Sequence, residues 1–105
     1  MTAKHFFHTV IDNQYISSLG FTLYKVGIFH YVGLQFNIAV PFPAWTAVEI
    51  ARINGYDGQE GSIIATDIGS DSSAFLIVID HDGKVTAQSH RAINSYAWFY
   101  GSGIF

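Results

Sequence analysis

The sequence predicts an all-β fold, a single β-sandwich or jelly-roll-like domain of about seven or eight antiparallel strands. Three observations predict it. Apolar and polar side chains alternate with period two from Leu19 onward, the signature of half-buried strands. Turn clusters rich in Gly, Asn and Asp recur at short, regular spacing, as in sandwiches and jelly rolls rather than βαβ folds. A continuous apolar run, Phe75-Leu76-Ile77-Val78-Ile79, leads directly into an Asp-Gly hairpin signal.

The first strand contains Phe21, Leu23 and Lys25 alternating with Thr22, Tyr24 and Val26. Val26-Gly27 turns it into the next. There Ile28, His30, Val32, Leu34, Phe36 and Ile38 share an apolar face, opposite Phe29, Tyr31, Gly33, Gln35 and Asn37. Pro41-Phe42-Pro43 ends the pattern, because neither proline can donate to a ladder. Thr46 to Ile53 reads as a strand with Val48 and Ile50 inward. Residues 54–61 hold three glycines with Asn and Asp and read as a loop.

Ser62 to Thr66 is a short strand, and Gly69-Ser70-Asp71-Ser72 a turn. Phe75 to Ile79 is short and β-branched, which favours a central strand over a buried helix. Asp80 to Lys84 closes the hairpin, and Val85, Ala87 and Ser89 alternate with Lys84, Thr86 and Gln88. Asn94 to Tyr100 is the last strand, with Tyr96, Trp98 and Tyr100 opposite Ala97 and Phe99. The chain divides into an N-terminal extension, 1–18, read as a helical turn, an added strand or a linker, and a head domain, 19–105.

Half of the 105 residues are hydrophobic, 16% are aromatic and only 12% are charged. That leaves apolar surface over, which favours self-association. Net charge is −3 with five Lys and Arg and no basic run, so no footprint for nucleic acid or an anionic membrane is present. Without cysteine there is no disulfide or thiolate chemistry. No apolar run reaches the ~20 residues of a membrane span, and the first residues lack a signal-peptide pattern, so synthesis in the cytoplasm is expected.

In order along the chain, Phe21–Val26 with Gly27, Ile28–Ile38, Trp45-Thr46, Ile53 with Gly55-Tyr56, Ile79-Asp80-His81-Asp82-Gly83-Lys84-Val85 and Tyr96–Tyr100 before Gly101-Ser102 form a recognisable succession. It resembles the small C-terminal head domains of bacteriophage tail-fibre, baseplate and receptor-binding proteins. The resemblance covers residues 19–105. It departs where Asp57-Gly58 replaces the proline that usually follows the Gly-Tyr pair, which implies a more mobile loop. It implies a trimeric head in a virion that holds a host-surface saccharide or packs against other tail or baseplate proteins. Fold analogy alone does not fix a function.

A sugar site needs an aromatic face beside planar polar groups, and loops on a rigid scaffold are where such groups gather. The candidates are Arg52 with Tyr56 and Asp57, His81 with Asp82, and His90 with Arg91. Each also suits a solvated turn. Trp45 plugs the end of the sandwich or a subunit contact, or else offers a stacking platform. Tyr96, Trp98 and Tyr100 are core or interface aromatics, because three on one face exceed what open water tolerates. His30 reads as a core histidine or a residue near a trimer axis.

His5 and His8 have ligand spacing but no third partner, and Asp80-x-Asp82-Gly83 lacks the later acidic ligands of a calcium loop. No nucleophile elbow or phosphate-cradling glycine loop is present. The sequence therefore predicts a non-enzyme with no cofactor and no metal.

Overall fold

The computed structural model describes residues 2–38, 40–67, 73–94 and 97–105. Among the described residues nine strands carry the fold: β1 (Lys4–Phe6), β2 (His8–Val10), β3 (Ile16–Val26), β4 (Phe29–Ile38), β5 (Val48–Ile53), β6 (Gly61–Asp67), β7 (Ala74–Ile79), β8 (Lys84–Ser89) and β9 (Ala97–Ile104). There is no helix among the described residues. The strands form one antiparallel sheet in the order β1-β3-β4-β9-β6-β7-β8-β5-β2. The all-β class agrees with the sequence. The sandwich of seven or eight strands is corrected to a nine-stranded, nearly closed barrel-like sheet.

The near-closure comes from the N-terminal stretch. Only Phe7 separates β1 from β2, yet β1 pairs with β3 and β2 with β5, at opposite ends of the strand order. Ile11 and Asn54 amides extend the seam to Ile50 and Phe7 carbonyls. The chain before Leu19 is thus built into the sheet, and β3 runs through the expected boundary at 18/19. Helical patterning could not fix this stretch, because no side chain of β1 or β2 is fully buried.

Strands β5 to β8 form a Greek key. Hairpins link β6, β7 and β8, while β5 returns to lie beside β8. The β7–β8 hairpin is closed by Asp80 N–H to Lys84 O at 2.9 Å and Gly83 N–H to Asp80 O at 3.0 Å. Gly83 has φ +92°, and a Cβ there would lie 2.5 Å from the Ile53 carbonyl oxygen. Only glycine meets both conditions.

The alternation foreseen for β4 holds from His30 to Ile38, whose even-numbered side chains are buried. Ile28 belongs to the turn instead and is exposed. In β7, Phe75, Ile77 and Ile79 point inward while Leu76 and Val78 line the outer face. Strand β9 continues past Tyr100 through Gly101, Ser102 and Gly103, pairing with β4 as far as Ile104.

The core centres on four rings. Phe75 meets Phe99 at 4.7 Å, Phe42 at 4.9 Å and Phe36 at 5.3 Å between centroids, each edge to face. That geometry sets positive ring edges against negative faces. All four side chains are fully or almost fully buried. Phe42 reaches the core because its amide and carbonyl pair with those of Ile93 across the proline-rich segment.

A second aromatic group closes one end. His30 stacks on Phe105 at 4.8 Å, with Tyr56 at 5.8 Å and Phe6 at 6.3 Å. Reciprocal backbone bonds between His30 and Phe105 hold the stack. His30 is buried, and its Nδ1 has no hydrogen-bond partner. Burial lowers its pKa below 6.5, Lys25 opposite it lowers it further, and a hydrogen bond with the Phe105 backbone acts the other way.

Phe75→Ala should destabilise the fold by about 3–5 kcal/mol, through lost transfer energy and the cavity left behind. Denaturant unfolding checks this. His30 sets a pH dependence of definite sign. The unfolded chain binds the proton more readily, so its contribution is intact above pH 6.5 and is lost as pH falls through 6.5 toward the lower folded pKa. Urea midpoints at about pH 7.5 and about pH 5.5 should differ more for the parent chain than for His30→Phe.

Candidate functional site

The predicted site residues separate to opposite ends of the barrel. Arg52 pairs with Lys84 across β5 and β8, so the loop 54–60 and the hairpin tip 80–83 share one end. Val48 pairs with Ala87 at the other, beside Trp45, His90 and Arg91.

At the first end the two loops touch: Ile53 N–H donates to Gly83 O at 2.7 Å, and Gly58 N–H approaches His81 O at 3.4 Å. Tyr56 is turned inward. Its hydroxyl donates to the Gln59 carbonyl, its ring packs edge-on against Phe6 and His30, and burial pushes the phenol pKa up. The stacking role expected for Tyr56 is therefore corrected: its ring is structural, and Asp57 is left alone at the exposed loop tip.

Arg52 points outward, with its guanidinium nitrogen 2.9 and 3.1 Å from the two Glu49 oxygens. His81 lies 3.2 Å from Glu60, both exposed. That hydrogen bond raises the His81 pKa above 6.5, desolvation opposes it, and the charges of Asp82, Glu60 and Asp80 reinforce it. Asp82 accepts from the Lys84 amide at 3.2 Å and shapes the turn. Glu60 was not singled out in the sequence; nothing local marks it, because its partner is 21 residues away.

At the other end, the Arg91 guanidinium donates to the buried Ser73 hydroxyl at 2.7 and 3.2 Å, tying the turn after β8 to the start of β7. His90 is exposed, and its ring lies 6.4 Å from Trp45 at 66°. Trp45 is 70% exposed, so its expected role as a core plug is corrected. Its backbone is pinned by an N–H bond to Ser89 O at 2.8 Å and takes φ +60°. A left-handed backbone at a bulky residue costs about 1–3 kcal/mol and persists only where the surroundings enforce it.

Beside this ring lies a groove of about 200 Å³, floored by Ile64, Ala74 and Leu76 and flanked by Gln88 and His90. The arrangement offers one aromatic face, an aliphatic floor, an amide and an imidazole. Gln88, Ile64 and Leu76 were legible only as outward positions of alternating strands.

Trp98 and Tyr100 also lie outside the core, on the outer face of β9, each more than a third exposed. Tyr96 falls outside the described residues. Among the described residues no group of three or more His, Asp or Glu side chains is placed to hold a metal ion, and no helix is long and apolar enough to cross a membrane. No protein-family model matches the chain, and no curated protein matches it either.

The His81–Glu60 pair favours the folded state below the ordinary histidine pKa and loses that effect as pH rises through the raised value. Glu60→Gln should move the His81 pKa down toward 6.5 in an NMR titration. The melting temperature should stay nearly unchanged, because an exposed pair contributes little.

Proposed function

We propose that this chain is the head domain of a phage tail-fibre or baseplate protein that binds a host-surface saccharide, working in the virion as a homotrimer. The observation that carries the saccharide reading is Trp45: an exposed indole held in a strained backbone over an apolar groove, with Gln88 and His90 beside it. Strain that persists at an exposed aromatic, where burial offers no return, is a reason to look for a ligand. A pyranose presents an apolar C–H face to such a ring and hydroxyls to an amide and an imidazole. The order of sequence features that resembles phage heads supports the setting.

Of the loop groups predicted as contacts, His90 stands at this groove. Arg91 serves the turn beneath it through Ser73. Arg52, Asp57, His81 and Asp82 form a polar rim at the far end, apart from any exposed aromatic ring in that loop pair. The second reading is a structural module without a ligand. The exposed apolar side chains of the outer face favour it, since protein contacts would consume them.

One open groove gives an affinity in the micromolar to millimolar range, which a trimer raises by avidity. With Trp98→Phe as background, Trp45 is the only tryptophan and reports on its own surroundings. Titration with fragments of host cell wall should change its fluorescence, and Trp45→Ala should weaken binding measured by calorimetry by about tenfold or more. A folded chain that gives neither heat nor a fluorescence change with any wall fraction overturns the saccharide reading.

A further inference from the structure

We propose that residues 102–105 are an acid-released latch: the Phe105 ring is seated on His30 and Gly61 while His30 is neutral, and leaves that seat when His30 takes a proton, with the rest of the barrel still folded. The device rests on one barrel end and on no ligand or oligomer. His30 is 4% exposed, and its Nδ1 is buried without a hydrogen-bond partner. A neutral imidazole leaves that nitrogen bare by carrying its proton on Nε2. An imidazolium has an N–H donor on both ring nitrogens. A charged donor left unpaired against apolar walls is costly, and the cost is removed when water reaches it.

The seat is shaped for a ring. The planes of His30 and Phe105 lie 9° apart, with Tyr56 edge-on to the imidazole at 72°. A Cβ at Gly61 would collide with the Phe105 ring. Gly61 has no left-handed backbone, so the ring above it, and not a turn, requires glycine there. Of the groups around the imidazole, Phe105 is tied down least. Tyr56 is anchored by its hydroxyl on the Gln59 carbonyl, and Phe6 by the pairing of β1 with β3. The pairing of β9 with β6 ends at Gly101, while its pairing with β4 runs on to Ile104. Beyond that, the Phe105 backbone is joined to His30 alone, by bonds of 2.6 and 2.9 Å. Residues 102–105 can therefore peel from one edge, and peeling opens His30 to water.

The charges around His30 disfavour an imidazolium in the closed state. Lys25 of β3 stands directly across from His30, and Lys4 of β1 directly across from Lys25, with its Nζ 5.0 Å over the Phe6 ring. Directly opposed residues share a face of a sheet, so a protonated His30 adds a third positive charge to this row. His5 of β1 stacks on Tyr24 instead. In the adjoining loop, Asp57 is at the exposed tip and Glu60 is engaged with His81. Burial and Lys25 act against protonation of His30 and outweigh the hydrogen bond with the Phe105 backbone, which favours it.

The test is amide hydrogen exchange of the full chain by NMR, at about pH 7.5 and about pH 5.5, read as protection factors so that the intrinsic pH dependence of exchange is removed. A hydrated His30 takes its proton near 6.5 and the seated one lower, so opening gains as pH falls through 6.5 and levels off below the seated value. Protection of the His30 and Phe105 amides should fall several-fold, by at most about tenfold per pH unit for one proton. The amides of β7, which is paired along both edges, should keep theirs. In His30→Phe the Phe105 amide should be equally protected at both pH values. By reciprocity, Phe105→Ala should raise the His30 titration midpoint toward 6.5. Should either variant fail to fold, the exchange profile of the parent decides. Unchanged protection at Phe105 overturns the latch, and so does a loss shared equally by β7, which means that acid opens the whole barrel. A loss that persists in His30→Phe overturns it too, by assigning the proton to another group.

Discussion

The contact on which the rest of the structure depends is Phe75 set edge-on among Phe99, Phe42 and Phe36. These rings come from β7, β9, β4 and the proline-rich segment that follows β4. Because β7 is central in the β6–β7–β8 hairpins, anchoring its first turn of side chains fixes the Greek key against β4 and β9. Phe42 then sets the path of the chain toward Trp45, whose amide reaches Ser89. The exposed indole is thus a downstream result of core packing.

Both barrel ends depend on that centre but differ in character. One is sealed by His30, Phe105, Tyr56 and Phe6, and two loops fold down over them. The other is held by polar bonds, with Arg91 on Ser73 and Ser17 on Asn37. Hydrogen bonds there are directional, so they set the position of a turn without burying it. That leaves Trp45 and His90 standing clear of the body.

The strands most readable in the sequence are those with one buried face and one polar face. β3, β4 and β8 fall in this class, and the inward set of β4 from His30 to Ile38 was legible residue by residue. β1 and β2 were not, since each pairs along only three residues and buries almost nothing. Nor was the end of β9, where the expected strand stops at Tyr100 but Gly101-Ser102-Gly103 is held extended by β4 and β6. Site residues were less legible than strands. Tyr56 has the composition of a sugar-binding loop, and its inward direction is decided by Phe6 and His30, distant in sequence. The exposure of Trp45 likewise follows from a backbone angle that composition does not encode.

The seam formed by Lys4 to Val10 has one more effect. Edge strands with unpaired amides are templates on which further chains can add without limit. Here the N-terminal stretch pairs with three residues of β3 and three of β5, shortening the two borders such growth would need. A chain rich in aromatic side chains and poor in charge thereby offers less open backbone for such growth.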